Sequence, residues 1–103
     1  MKKYYFDYAA ATPLSETVLA SMRPYFSEAF YNPSALYLAA QDVKRALNRA
    51  RADVAGVLGC KASEIIFTAG GTESDNLAIN GVMSQFKSAN CVISAVEHEA
   101  VLA

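Results

Sequence analysis

Two glycines and a threonine, at Gly70, Gly71 and Thr72, have the residue types and spacing best suited to a chemical task. They follow the apolar run 64–67 and precede apolar residues at helical spacing, a pattern that predicts a strand, a glycine turn and a helix. Glycines permit positive φ and close approach of a ligand. We expect Thr72 to cap the helix, with Asp75 completing a capping box. Such a helix directs free N–H groups and its positive dipole end at one point, which suits a phosphate.

The same pattern also fits an ordinary strand-to-helix turn in which the glycines serve geometry alone, and the spacing does not separate these two interpretations. Glu73 and Asp75 complement the helix dipole in the first turn, but they would repel a phosphate if they faced it. No Gly-Lys-Ser or Gly-Lys-Thr follows the glycines, which argues against a nucleotide P-loop. No G-x-G-x-x-G motif is present, so a dinucleotide fingerprint is not supported.

His98 is the chain's single histidine and follows the apolar run 91–95, which is typical of a buried strand. It lies at the start of a predicted helix at 97–102. Ligands of open α/β sheets bind beyond the carboxyl ends of the strands, so His98 and the glycine turn could face the same crevice. A single histidine is more often a surface or packed residue, and both interpretations stay open. With one histidine and no clustered ligands, the sequence predicts no metal site.

Several helices are predicted before the glycine turn. Ser15 is a capping residue for a first helix, and Pro24 is expected to stop or kink that helix because proline lacks an N–H. The segment 32–34, Asn-Pro-Ser, is a turn and helix-start signal. Apolar residues then repeat at intervals of three and four between 36 and 58, which predicts an amphipathic helix of about six turns. Gly59 is placed to end it.

The order strand, helix, strand between 64 and 95 predicts a right-handed βαβ crossover with parallel strands. Two parallel strands are too few for an independent α/β domain, which normally covers a larger sheet with helices on both faces. The predicted fold class is therefore α/β, and the 103 residues are expected to begin a larger protein.

Composition supports this expectation and excludes several function classes. Hydrophobic residues make up 53% and charged residues 18% of the chain, whereas charged residues are about 25% of a typical domain. The excess apolar surface is expected to meet more protein. The net charge of −1 and the lack of a basic stripe argue against nucleic-acid binding.

No apolar run approaches the roughly 20 residues that span a bilayer, and Met1-Lys2-Lys3 is not followed by a signal-peptide core. These features predict no membrane association and a cytoplasmic protein. Cys60 and Cys91 lack C-x-x-C spacing and are expected to be free thiols.

Together, four stretches resemble the N-terminal part of the cysteine desulfurases, pyridoxal-phosphate enzymes of the class V aminotransferase group. The resemblance covers essentially the whole chain in order and spacing. Its most specific part is Gly-Thr-Glu-Ser-Asp-Asn at 71–76. The matching stretches lie at 6–13, 32–34, 65–79 and 97–102.

The resemblance implies that residues 1–103 are an incomplete N-terminal segment, about the first quarter, of a fold-type-I pyridoxal-phosphate enzyme. Such enzymes convert L-cysteine to L-alanine and leave the sulfur on an enzyme cysteine. A sulfur-acceptor protein then takes it for iron–sulfur clusters or thiolated products. A homodimer and pyridoxal 5'-phosphate as cofactor are also implied. The alternative is a non-catalytic module that pairs with a desulfurase or with a separately encoded remainder.

Residue by residue, the resemblance implies that Gly71 and Thr72 bind the cofactor phosphate. It gives His98 a catalytic and cofactor-binding role, stacking on the pyridine ring and assisting proton transfers. The chain departs from the family pattern at Tyr37 and Ala40, where the family often has a histidine and a glycine. The family's cofactor-bonding lysine and sulfur-carrying cysteine fall beyond these residues, and none of this chain's lysines or cysteines occupies either position.

Overall fold

The structure, a computed structural model, describes residues 3–102. It divides into two compact units, Met1–Ala62 and Ser63–Ala103. The first unit holds three helices of the described chain, and the second holds two. These helices are α1 (Glu16–Met22), α2 (Pro24–Ser27), α3 (Leu38–Leu58), α4 (Gly71–Met83) and α5 (Glu99–Leu102), and a 3-10 turn covers Ala62–Glu64.

The first helix begins and ends as the sequence predicts, and a short second helix that was not predicted follows it. Ser15 is the N-cap of α1, and its hydroxyl oxygen accepts a hydrogen bond from the Val18 N–H at 3.3 Å. The helix ends at Met22, and Pro24 occupies the first position of α2. A proline is tolerated there because the first N–H of a helix has no intrahelical acceptor.

The Asn-Pro-Ser segment forms a turn, as predicted, but the next helix begins later than this signal indicates. The side-chain oxygen of Asn32 accepts from the Ser34 N–H at 2.9 Å, and its carbonyl accepts from the Ala35 N–H at 3.0 Å. These bonds fold the chain locally, as asparagine side chains do in turns. Helix α3 then starts at Leu38, after Tyr37 in extended conformation.

Helix α3 confirms the predicted long helix and its end. It runs for 21 residues, and Gly59 follows it in the left-handed region with φ 69° and ψ 30°. The Gly59 N–H donates to the Ala55 carbonyl. Residues with a side chain are disfavoured in this region by roughly 1–2 kcal/mol, which explains the glycine. Ala40 and Ala55 are the buried residues of this helix, at 0% and 3% exposure.

The predicted βαβ unit is observed only in its helix, α4. Within residues 3–102 no strand is formed, and 65–67 and 91–94 have no regular structure. A strand exists only where its N–H and C=O groups pair with those of a neighbour. The exposure of Val92, at 92%, shows that the side chains of 91–94 are not covered as they would be in a buried strand. The parallel strand pair therefore stays a prediction.

Burial within each unit is slight. Among the described residues only Ala40, Ala55 and Ala100 are buried, and no large side chain is fully buried. Phe6 is 92% exposed and Leu36 is 89% exposed. None of the described helices is long and apolar enough to cross a membrane.

A polypeptide of these 103 residues alone is expected not to behave as a compact monomer, because three buried alanines do not provide a hydrophobic core. Sedimentation velocity should show association or an expanded species, and thermal unfolding should be broad. A single compact monomer with a sharp cooperative melt would contradict this expectation.

Candidate functional site

The start of α4 offers unpaired hydrogen-bond donors. Gly70 is the N-cap, and the first intrahelical bond runs from the Ser74 N–H to the Gly70 carbonyl at 3.1 Å. The N–H groups of Gly71, Thr72 and Glu73 therefore have no acceptor within the helix. The hydrogen bond that the structure shows for Thr72 is at its carbonyl, which accepts from Asn76 Nδ2, and its hydroxyl belongs to the lining of the same turn. These donors lie at the positive end of a helix of 13 residues.

The prediction that Thr72 caps this helix is wrong. The N-cap is Gly70, which provides no side chain, and Thr72 lies two positions inside the helix. The carboxylate that reaches back across the start of the helix is that of Glu73, not Asp75. Its Oε2 accepts a hydrogen bond from the Ala69 N–H at 2.7 Å. The helix begins earlier than the threonine signal indicates. As a result the Thr72 hydroxyl is available to a ligand.

Neither glycine of the turn adopts the left-handed conformation that glycine permits. Gly70 is extended, with φ 171° and ψ 178°, and among the described glycines it is Gly59 that lies in the left-handed region. A Cβ added to Gly70 or Gly71 would meet nothing within 4 Å. Local packing therefore does not demand glycine here. The bare backbone instead leaves open space above the N–H groups, which fits the approach of a phosphate.

An open depression surrounds these donors, and a hydroxyl pair supports the turn behind it. The depression is lined by residues 69–73 and Asn76. Thr68 Oγ1 and Ser74 Oγ share a hydrogen bond of 2.6 Å, and each hydroxyl lies 3.2 Å from the Gly70 carbonyl oxygen. These contacts connect the residues before and after the glycines, so the turn is held without an external partner.

His98 has a structural contact that the sequence did not predict. It precedes α5, and its Nδ1 accepts a hydrogen bond from the Ala100 N–H at 3.1 Å. Its carbonyl accepts from the Val101 N–H at 2.9 Å. A nitrogen that accepts carries no proton, so the neutral ring carries its proton on Nε2. The His98 side chain is exposed, which leaves that edge of the ring accessible.

Asn76 connects the segments that carry Thr72 and His98. Its Nδ2 donates to the Thr72 carbonyl at 2.9 Å and to the Ala100 carbonyl at 3.1 Å. The structure therefore brings α4 and α5 together through this side chain. Sequence reasoning missed Asn76, because its second partner is 24 residues away. The Gly-Thr-Glu-Ser-Asp-Asn block contained it, but gave it no role.

Other candidate chemistry is sparse. Cys60 and Cys91 are free, as the sequence predicts, and both are exposed. No group of three or more potential metal ligands is found among the described residues.

Known proteins are similar to this chain in sequence and in fold. Residues 4–103 match the family described as Aminotransferase class-V. The cysteine desulfurase IscS of Dictyoglomus turgidum is 44% identical in an alignment 103 positions long, which covers 98% of this chain and 26% of that protein. The cysteine desulfurase IscS of Methanosarcina thermophila is also 44% identical, with the same coverage. The chain thus spans about a quarter of the length of these curated relatives.

Two solved structures have the same fold over nearly the whole chain. One, described as SspA in complex with cysteine, is 43% identical, with a TM-score of 0.88 over 97% of this chain and 29% of its own. The other, described as a NifS-like protein, is 34% identical, with a TM-score of 0.87 over 98% of this chain and 28% of its own.

Proposed function

The chain belongs to the class-V aminotransferase family, and from this premise we propose that it is the N-terminal segment of a pyridoxal-phosphate-dependent cysteine desulfurase. The complete enzyme would convert L-cysteine to L-alanine and pass the sulfur to an acceptor protein. The observation that carries the proposal is the helix start at Gly71 and Thr72, whose free donors and open backbone fit a phosphate. The relatives named cysteine desulfurases and the structural neighbour holding cysteine support the choice of substrate.

The phosphate of the cofactor would be held by the N–H groups of Gly71 and Thr72 and by the Thr72 hydroxyl. The absence of a Cβ on Gly71 lets phosphate oxygens approach these N–H groups. Glu73 also lines the depression, and its carboxylate accepts a hydrogen bond from the Ala69 N–H at 2.7 Å. This hydrogen bond pairs the carboxylate with a backbone donor other than those of Gly71 and Thr72.

His98 would lie against the pyridine ring and move a proton at Nε2. The bound cofactor supplies an electron sink for negative charge that develops on the substrate. An imidazole ring is planar and can hold or release a proton near neutral pH, so it suits both stacking and proton transfer. The Ala100 N–H occupies Nδ1, which leaves Nε2 for the proton transfer.

The rest of the catalytic machinery is proposed to lie outside these residues. A lysine that bonds the cofactor and a cysteine that receives the sulfur are both needed for this chemistry. We propose that the rest of the enzyme, as a homodimer, covers the large apolar side chains that both units expose. We place the complete enzyme in the cytoplasm.

Thr72→Ala in the full-length enzyme is expected to weaken pyridoxal-phosphate binding about ten- to a hundredfold, because one hydrogen bond to a charged group contributes roughly 1.5–3 kcal/mol. Excess cofactor should restore most turnover. Bound cofactor and alanine formation are measured together during a cofactor titration.

Thr72→Ser is the matched control, since it keeps the hydroxyl and should bind the cofactor nearly as the wild type does. Unchanged affinity in Thr72→Ala would remove the assigned phosphate contact. A saturated wild-type enzyme that forms no alanine from L-cysteine would contradict the proposed function itself.

A further inference from the structure

We propose that Asn76 is a positioning residue that holds His98 in its working place relative to the phosphate-binding turn. The inference rests on the proposed function, because it assumes that His98 acts on the cofactor. Its structural basis is a continuous set of hydrogen bonds. Asn76 donates to the carbonyls of Thr72 and Ala100, and the Ala100 N–H donates to His98 Nδ1.

The orientation of the Asn76 amide follows from the chemistry of its partners. Both partners are carbonyl oxygens, which accept and never donate, so the NH₂ group must face them. One hydrogen is used for each carbonyl. The single side-chain nitrogen of Asn76 thus donates to one carbonyl on each of two helices. An aspartate has the same shape, but it has no hydrogen to offer and would place negative charge against two carbonyl oxygens.

Ala100 is the residue of α5 that links the two sides of this hydrogen-bond network. It is 9% exposed, and it is the buried residue of the second unit among those described. Buried backbone groups require partners, and α5 has only four residues with which to provide them. The side chain of His98 takes the Ala100 N–H, and the side chain of Asn76 takes the Ala100 carbonyl. The position of the imidazole therefore depends on Ala100, and that of Ala100 depends on Asn76.

This arrangement also fixes which ring nitrogen carries the proton. While Ala100 stays in place, Nδ1 accepts and the neutral ring is protonated at Nε2. Without Asn76, the Ala100 carbonyl loses its partner and the turn can shift. His98 would then be free to leave the Ala100 N–H and to adopt either neutral form. An apolar contact between the helices would not have this effect, because hydrogen bonds are directional and apolar contacts are not.

The test uses the full-length enzyme with Asn76→Asp and Asn76→Ala. Turnover at saturating cofactor is expected to fall about ten- to a hundredfold, because small displacements of a catalytic group have effects of this size. The cofactor affinity of Asn76→Ala should change less than about threefold, since the donors of Gly71 and Thr72 are untouched and no charge is added to the depression that Asn76 lines. Asn76→Ala repeats the test without added charge if Asn76→Asp does not fold.

Asn80→Asp is the matched control. It makes the same change of charge on the same helix one turn later, where the side chain has no described hydrogen bond. Its turnover should stay within about twofold of the wild type. Equal losses in Asn80→Asp and Asn76→Asp would mean that charge on α4, not the bridge, causes the effect, and would overturn the proposal.

A double-mutant cycle separates positioning from general support of the fold. If Asn76 acts through His98, Asn76→Ala should have no further effect on turnover in a His98→Ala background. Full additivity, or loss of cofactor binding in Asn76→Ala, would overturn the proposal. A His98→Ala enzyme with normal turnover would instead contradict the role of His98 in the proposed function.

The nitrogen chemical shifts of ¹⁵N-labelled His98, recorded without cofactor, give a readout independent of activity. The wild type should show a protonated Nε2 and an accepting Nδ1 at a pH where the ring is neutral. Asn76→Ala should shift both signals toward the values of mixed tautomers. Unchanged shifts would overturn the proposal, whatever the result for His98→Ala.

Discussion

His98→Ala in the full-length enzyme is expected to lower turnover by about 10²–10⁴-fold, the usual contribution of a positioned acid–base group. Most of the cofactor should stay bound, because the phosphate donors at Gly71 and Thr72 belong to α4 and not to the turn of His98. Excess pyridoxal phosphate should therefore not restore turnover. This behaviour is the reverse of that expected for Thr72→Ala, which loses cofactor but recovers activity when cofactor is added.

The control must separate the proton-transfer role of His98 from its contact with Ala100. His98→Asn provides this, because an asparagine side-chain oxygen is among the best acceptors for the first N–H groups of a helix. It can replace the bond from the Ala100 N–H, but it cannot hold and release a proton near neutral pH. Turnover should stay low in His98→Asn although α5 keeps its cap. Full recovery of turnover in this variant, or in His98→Ala with added cofactor, would show that the assigned role is wrong.

Local signals in the sequence were sufficient for the bounds of α1 and α3. The Ser15 cap, the break at Pro24 and the left-handed Gly59 each depend on a residue's own chemistry and on neighbours within one turn. The repeat between 36 and 58 defined α3 to within two residues at its start for the same reason. Such features can be recognised without knowing what packs against them.

The candidate site was predictable only in part. The glycine turn and a helix start were evident, yet the cap was assigned to Thr72, since nothing in the local pattern distinguishes Gly70 as the N-cap. The Asn76 bridge was missed because it depends on where Ala100 lies in space. The predicted strands at 64–67 and 91–95 need pairing partners that these residues do not provide to one another.

The exposed apolar side chains bear on both the missing strands and the apolar composition. Segments that read as buried strands keep apolar side chains such as Ile66 and Val92 largely exposed. Their residue types are suited to a sheet with both faces covered, as in parallel α/β folds. The same exposure explains why so much of the composition is apolar. Both observations favour a segment of a larger protein over an independent module.

A polypeptide of these 103 residues alone is expected to have no desulfurase activity, the largest effect that we predict. The chemistry requires a lysine that bonds the cofactor and a thiolate that attacks the substrate sulfur. By the family resemblance, neither Lys61 nor Lys87 occupies the lysine position. Cys60 and Cys91 are exposed thiols and do not occupy the position of the sulfur-carrying cysteine.

Borohydride reduction in the presence of pyridoxal phosphate, followed by peptide mass mapping, tests this expectation alongside an assay for sulfide and alanine. The isolated polypeptide should give no sulfide and only scattered, substoichiometric labelling of its lysines. The full-length enzyme, treated identically, should give one stoichiometric adduct on a lysine outside these residues, and sulfide from L-cysteine. A single stoichiometric adduct on Lys61 or Lys87 together with sulfide release from the isolated polypeptide would contradict the prediction, because it would place complete chemistry within this segment.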